Sequence, residues 1–218
     1  MEKLASALES SLKITTRYDK IRDFLASQTS QVTLRFLNKE GVLEWIYGEP
    51  TFIQTFTKES ENDWGCKIIG KKSNQWTTLL GEYVMEDILR LLGKNPRKIQ
   101  TPQKATNGKR LDPDRETDDA LYECKARNYT TTGTAGEKIL GSPIKYAEVY
   151  RLFKKPLIIV CMAYQEKEAE KDFMLFASST EQSPELQSQL KFWEEHFHIR
   201  YMRATELLDQ WLKSNTSF

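Results

Sequence analysis

The chain has 218 residues, 39% of them hydrophobic and 29% charged, with a formal net charge of +1. That length fits one ordinary globular domain with a core large enough to need no staples. The near-neutral balance gives no overall electrostatic case for a nucleic-acid partner, and no apolar run is long enough to span a membrane.

Taken in chain order, apolar residues from Leu4 to Leu25 recur at helical spacing. Val32, Leu34 and Phe36 alternate, Val42 to Tyr47 is a second, mostly apolar run, and Asn38-Lys39-Glu40-Gly41 as turn material between them predicts a hairpin. Thr51 to Phe56 and Cys66 to Ile69 read as further short strands, with Lys58 to Asp63 as a polar loop. A helix is predicted over Leu79 to Leu92, capped by Thr77 or Thr78 and ended by Gly93, with Leu80, Val84, Ile88 and Leu91 as its inner stripe. Glu82 and Glu86 lie four apart on its adjacent face. After the strand Leu121 to Ala126, helices are expected from Thr132 or Thr134 and over Pro143 to Phe153. Leu157 to Ala163 is apolar throughout, as a strand covered on both sides must be. Phe173 to Ala177 reads as a strand, Gln187 to Phe197 as a helix, Ile199 to Met202 as a strand, and Thr205 as the cap of a last helix. This order implies an α/β fold with a mixed central sheet and helices on both faces. The chain divides into an N-terminal region to residue 75, a core over 76–178 and a helix–strand–helix end over 179–218, all within one domain.

Cys66, Cys124 and Cys161 are odd in number and widely spaced, so neither a disulfide framework nor a zinc site follows, and a reducing cytoplasm is the expected home. The start Met-Glu-Lys-Leu-Ala lacks a signal-peptide pattern. His196 and His198 are the only histidines and fit packing or surface roles. The five tryptophans could stack on bases, although burial is the commoner role. Between Gly93 and Leu111 the basic residues Lys94, Arg97, Lys98, Lys104, Lys109 and Arg110 occur without an acid. This run is either a phosphate-contacting loop or, as charge runs more often are, a solvated connector.

The most informative residues are Glu123-Cys124-Lys125, with Pro113-Asp114 just upstream. On a strand, Glu123 and Lys125 share one face while Tyr122, Cys124 and Ala126 take the other. Two acids and one lysine so placed can seat a hard dication and position a water against a phosphate. Asp112, Asp118 and Asp119 are also within reach. The Pro-Asp pair and its spacing favour Asp114, and Asp118 and Asp119 look like turn residues.

Pro-Asp followed by a strand-borne Glu-x-Lys, with a helix before it, resembles the PD-(D/E)xK nuclease superfamily, which includes most type II restriction endonucleases. Thr132 to Gly141 (Thr-Gly-Thr-Ala-Gly-Glu-Lys-Ile-Leu-Gly) is similar to a segment of some small restriction enzymes. The resemblance runs from about Trp76 to Tyr164. It implies a restriction-endonuclease-like core, magnesium held by Asp114, Glu123 and the Cys124 carbonyl, and Lys125 at the attacking water or scissile phosphate. Glu82 or Glu86 would approach the metal. Glu137 has two readings, orienting Lys125 or a metal-bound water, or complementing a helix dipole. The expected activity is magnesium-dependent cleavage of double-stranded DNA at a specific site, leaving 5′-phosphate ends, by a homodimer. A structure-specific nuclease and a non-enzymatic α/β binding module are the alternatives.

Overall fold

The computed structural model describes residues 18–26, 33–131 and 134–215. Helix α1 covers residues 18–26. It is followed by α2 (Val42–Tyr47), α3 (Pro50–Ile53), α4 (Lys58–Ile69) and α5 (Trp76–Leu91). Four strands come next: β1 (Gln103–Lys104), β2 (Arg110–Leu111), β3 (Arg115–Glu116) and β4 (Leu121–Arg127). A 3₁₀ segment (Thr134–Ile139), α6 (Ser142–Lys145) and α7 (Val149–Phe153) lead to β5 (Leu157–Ala163). The chain continues through α8 (Tyr164–Lys171), α9 (Pro184–Phe197), β6 (Ile199–Arg203) and α10 (Ala204–Asn215).

The main sheet has the order β3-β4-β5-β6. β3 is antiparallel to β4, whereas β4, β5 and β6 are parallel. Parallel neighbours need crossovers, and the 3₁₀ segment with α6 and α7, then α8 with α9, supply them. All seven residues of β5 are buried, as a central strand covered on both faces requires. On one face Tyr122, Cys124, Ile158, Val160 and Met162 pack with α1, α2, α5 and α10. On the other, Leu121, Leu157, Ile159 and Cys161 pack with Ile139, Tyr146, Val149 and Leu175. The fold is therefore mixed α/β, a mixed sheet flanked by helices.

The region before α5 corrects the expected strands. Val42 to Tyr47 is a helix, because Val42, Leu43, Trp45 and Ile46 are all buried and only helical spacing gathers them on one face. Gly41 (φ 81°) and Gly48 (φ 61°) bracket it in the left-handed region. The amides of Arg35, Phe36 and Leu37 donate to the buried Asp87 carboxylate at 3.0, 2.7 and 2.9 Å, so they are not free for a ladder. Val32 and residues 4–17 lie outside the described residues. Pro50–Ile53 is a short helix capped by Glu49 rather than a strand. Lys58 to Ile69 is a single helix where a loop and a strand were expected, started by a reciprocal Thr57–Ser60 capping box. Phe173 to Ala177 forms turns, with Met174 at φ 53°, a conformation no ladder accepts.

α5 and α9 lie near their expected spans, but α5 begins at Trp76 after Gln75, so Thr77 and Thr78 lie inside it rather than capping it. The helix expected from Thr132 or Thr134 is a 3₁₀ segment over Thr134–Ile139, with Thr132 outside the described residues. After α5, Gly93 at φ 71° donates to Arg90 O and Lys94 donates to Leu89 O, closing the helix in a Schellman turn. The expected helix over Pro143 to Phe153 is broken into α6 and α7. Thr205 lies inside α10 rather than capping it, and its hydroxyl is bound to Glu166. Among the described residues no helix is long and apolar enough to cross a membrane.

Candidate functional site at the edge of β4

β3 pairs with only the first part of β4, through Arg115↔Tyr122 and Glu116↔Leu121. Beyond Tyr122 that edge of β4 has unpaired amides, which must find other acceptors. Asp114, immediately before β3, supplies one: its Oδ2 accepts from the Cys124 amide at 2.7 Å. The Pro-Asp carboxylate is thus delivered to the strand that carries Glu-x-Lys.

Glu123 and Lys125 share the face opposite α5, and Lys125 Nζ donates to Glu123 Oε1 at 2.6 Å. Glu123 is 3% exposed, so its charge is withdrawn from water and must be matched. Lys145 Nζ lies 3.3 Å from the same oxygen, and Tyr146 OH donates to Oε2 at 2.7 Å. Lys145 Nζ also donates to Tyr146 OH at 2.6 Å. Both carboxylate oxygens of Glu123 are therefore held in one orientation by α6 and the residue after it.

Glu82 joins from the other side. Burial, then the charges of Glu123 and Glu82, push the Asp114 carboxyl up from 3.8 to about 7, against the lowering effect of the Cys124 amide. Arg115, 2% exposed, fastens α5 to this edge. It reaches Glu86 at 2.7 Å and Glu82 at 3.5 Å, and donates to the Asp114 carbonyl at 2.6 Å. Glu86 is thereby committed to Arg115 and Arg90.

The lysine stays charged. Burial alone would lower the Lys125 ammonium, but the charge and hydrogen bond of Glu123 and the charge of Asp114 outweigh it and hold it above the usual lysine range. Burial, then the charge of Glu123, likewise keeps Tyr146 a phenol. The Cys124 side chain packs toward Gly81 of α5, and burial and Asp114 push its thiol well up. Only its backbone carbonyl is left for any ligand role.

The other acids separate cleanly. Asp112 is exposed and paired with Arg110 at 2.8 Å. Asp118 pairs with Arg97 at 2.8 Å, and Asp119 pairs with Lys94 and accepts from Thr117. Glu137 is exposed on the 3₁₀ segment, and none of the hydrogen bonds around Glu123 and Lys125 involves it. The same pairs neutralise half of the basic run expected to touch phosphate, namely Lys94, Arg97 and Arg110. His198 stacks on Tyr150, and His196 is exposed. Trp45, Trp76 and Trp211 are buried in the core.

Sequence reasoning missed Lys145, Tyr146 and Arg115. Lys145-Tyr146 near the start of the helix predicted over Pro143 to Phe153, and Arg115 beside Asp114 with a Glu82/Glu86 pair one helical turn apart, are the available signals. Among the described residues no three His, Cys, Asp or Glu side chains are gathered as a metal cage. What the site offers is two carboxylates, a backbone carbonyl and two ammonium groups, all hard oxygen or nitrogen chemistry. No family model matches the chain, and neither does any curated protein or solved structure.

Proposed function

We propose that the protein is a magnesium-dependent endonuclease acting on double-stranded DNA, of the type II restriction kind. One observation carries this reading. Asp114, ten residues from Cys124 in the chain, reaches the backbone of the strand on which Glu123 and Lys125 stand side by side. The fit to magnesium rests on the donor set. Burial first, then the charges of Glu123 and Glu82, raise the Asp114 carboxyl to about 7, and a hard dication at its oxygens would take the place of the proton held there. Magnesium takes few protein carboxylates, so two acids and a carbonyl suffice without a closed cage. Asp114, Glu123 and the Cys124 carbonyl would hold it.

Bound there, magnesium would lower the pKa of a water and offset charge on phosphoryl oxygens. The chain's own residues do the rest. Lys125, fixed in its charged form, places an ammonium where a scissile phosphate gathers negative charge, and so acts as an electrostatic group rather than a base. Tyr146 and Lys145 fix the Glu123 carboxylate, so the ligand set needs little reorganisation. Arg115 holds Glu82 and the Asp114 backbone against the sheet edge. Site specificity and a homodimer matching a two-fold site belong to the same proposal.

The test is incubation of the protein with several unmethylated plasmids, with magnesium or with EDTA. Discrete fragments with 5′-phosphate ends, formed only with magnesium, are expected. Cutting confined to branched or damaged DNA would replace site recognition with shape recognition. Absence of cleavage on every template would remove the nuclease reading.

A further inference from the structure

We propose that a groove formed by α4, the α4–α5 turn and the segment after β4 is a docking track for the phosphodiester backbone of duplex DNA. This rests on the nuclease reading and adds to it where the substrate lies. The groove has a volume of about 990 Å³ and is lined by Lys58, Lys67, Lys71 and Lys72, with Asn74 and Asn128 as further donors and Asp63 as its one acid.

All four lysines are exposed. None forms an ion pair among the described residues, whereas Lys94, Arg97 and Arg110 of the longer basic run each do. The chain as a whole carries only +1. Four unneutralised ammonium groups around one concavity are therefore a local excess, the arrangement that binds a polyanion by releasing its counterions. Base stacking contributes nothing here. Trp76, though it lines the groove, is 2% exposed, and its indole N–H donates to Asn62 Oδ1 at 2.7 Å. The contacts on offer are to charge and to backbone oxygens, which position a duplex without reading it.

Two elements connect the groove to the edge of β4. Thr77, at the start of α5, lines the groove, and Glu82 on the same helix acts on Asp114. Five residues of helix span roughly 7.5 Å. Asn128 lies three residues beyond Lys125 on the chain leaving β4, roughly 10 Å if extended. With about 3.4 Å of rise per nucleotide along one strand, a duplex whose linkage meets Lys125 brings phosphates only a few nucleotides away to the groove.

The experiment measures binding of a fluorescent duplex of arbitrary sequence in EDTA, where no cleavage intervenes. It compares the full chain, the groove variant Lys67→Glu/Lys71→Glu/Lys72→Glu and the loop variant Lys98→Glu/Lys104→Glu/Lys109→Glu. The groove variant, shown to be folded by a cooperative melting transition, should bind at least about tenfold more weakly and lose about three from the slope of log K against log salt. The loop variant should bind like the wild type. Wild-type affinity in the groove variant, a loss confined to the loop variant, or wild-type binding to phosphatidylglycerol vesicles but not to the duplex would each overturn the proposal. Cleavage with magnesium separates the two readings. A protein that binds through the groove and never cuts keeps the groove and loses the nuclease. A groove variant that binds and cuts like the wild type does the reverse.

Discussion

Asp114 sits where burial and two neighbouring acids make its proton hard to lose. A carboxyl raised from 3.8 to about 7 favours its protonated form in the folded chain. Its stabilising contribution is therefore complete below the unfolded value and disappears as pH rises through about 7. A dication at the same oxygens competes with that proton. Millimolar magnesium should consequently raise the melting temperature more at about pH 8 than at about pH 6. Asp114→Asn should remove the dependence, because its amide holds no titrating proton. Equal magnesium shifts at the two pH values would place the ion elsewhere. At this scale the sequence exposed part of the site. Alternation along β4 put Glu123 and Lys125 together, and the Pro-Asp pair marked Asp114 among four candidates. Lys145 and Tyr146 were hidden, because they lie 22 and 23 residues beyond Glu123 and meet it only when the chain after β4 folds α6 back onto the strand. No local pattern encodes that distance.

Among the elements, those with a single periodicity were legible. α5, β5, α9, β6 and α10 each show one unambiguous pattern, and each lies close to where that pattern puts it. The region before α5 was misread for a physical reason. Val-Leu-Glu-Trp-Ile-Tyr is rich in strand formers, yet its four buried side chains need the helical arc, and tertiary burial overrides intrinsic preference. The start of α4 was missed because its capping box closes on Ser60 rather than on Glu or Gln. That helix must also lie very close to α5. A Cβ at Gly65 would fall 2.1 Å from the Trp76 ring, which Asn62 holds in place. Gly65→Ala should therefore destabilise the protein by about 1–3 kcal/mol despite its gain in helix propensity. Equilibrium denaturation decides this, and a variant as stable as the wild type would mean that α4 and α5 can separate without cost.

For the molecule as a whole, the mixed sheet with helices on both faces was readable from the order of elements. The short β1–β2 pair and β3 were not, because two-residue strands carry no period. The sheet matters to the site through its unequal strands. β3 stops after pairing with Tyr122, and the amide this leaves on β4 is where Asp114 docks. One acid from the edge, one acid and one amine from the strand, and one acid from α5 converge because of that mismatch. The most direct test is the cleavage rate of Lys125→Ala beside the wild type, on the same duplex and with magnesium. The variant should remain folded and bind DNA, yet cut at least about a hundredfold more slowly. A folded Lys125→Ala protein that cuts DNA at the wild-type rate would contradict the assignment of this edge as the catalytic centre.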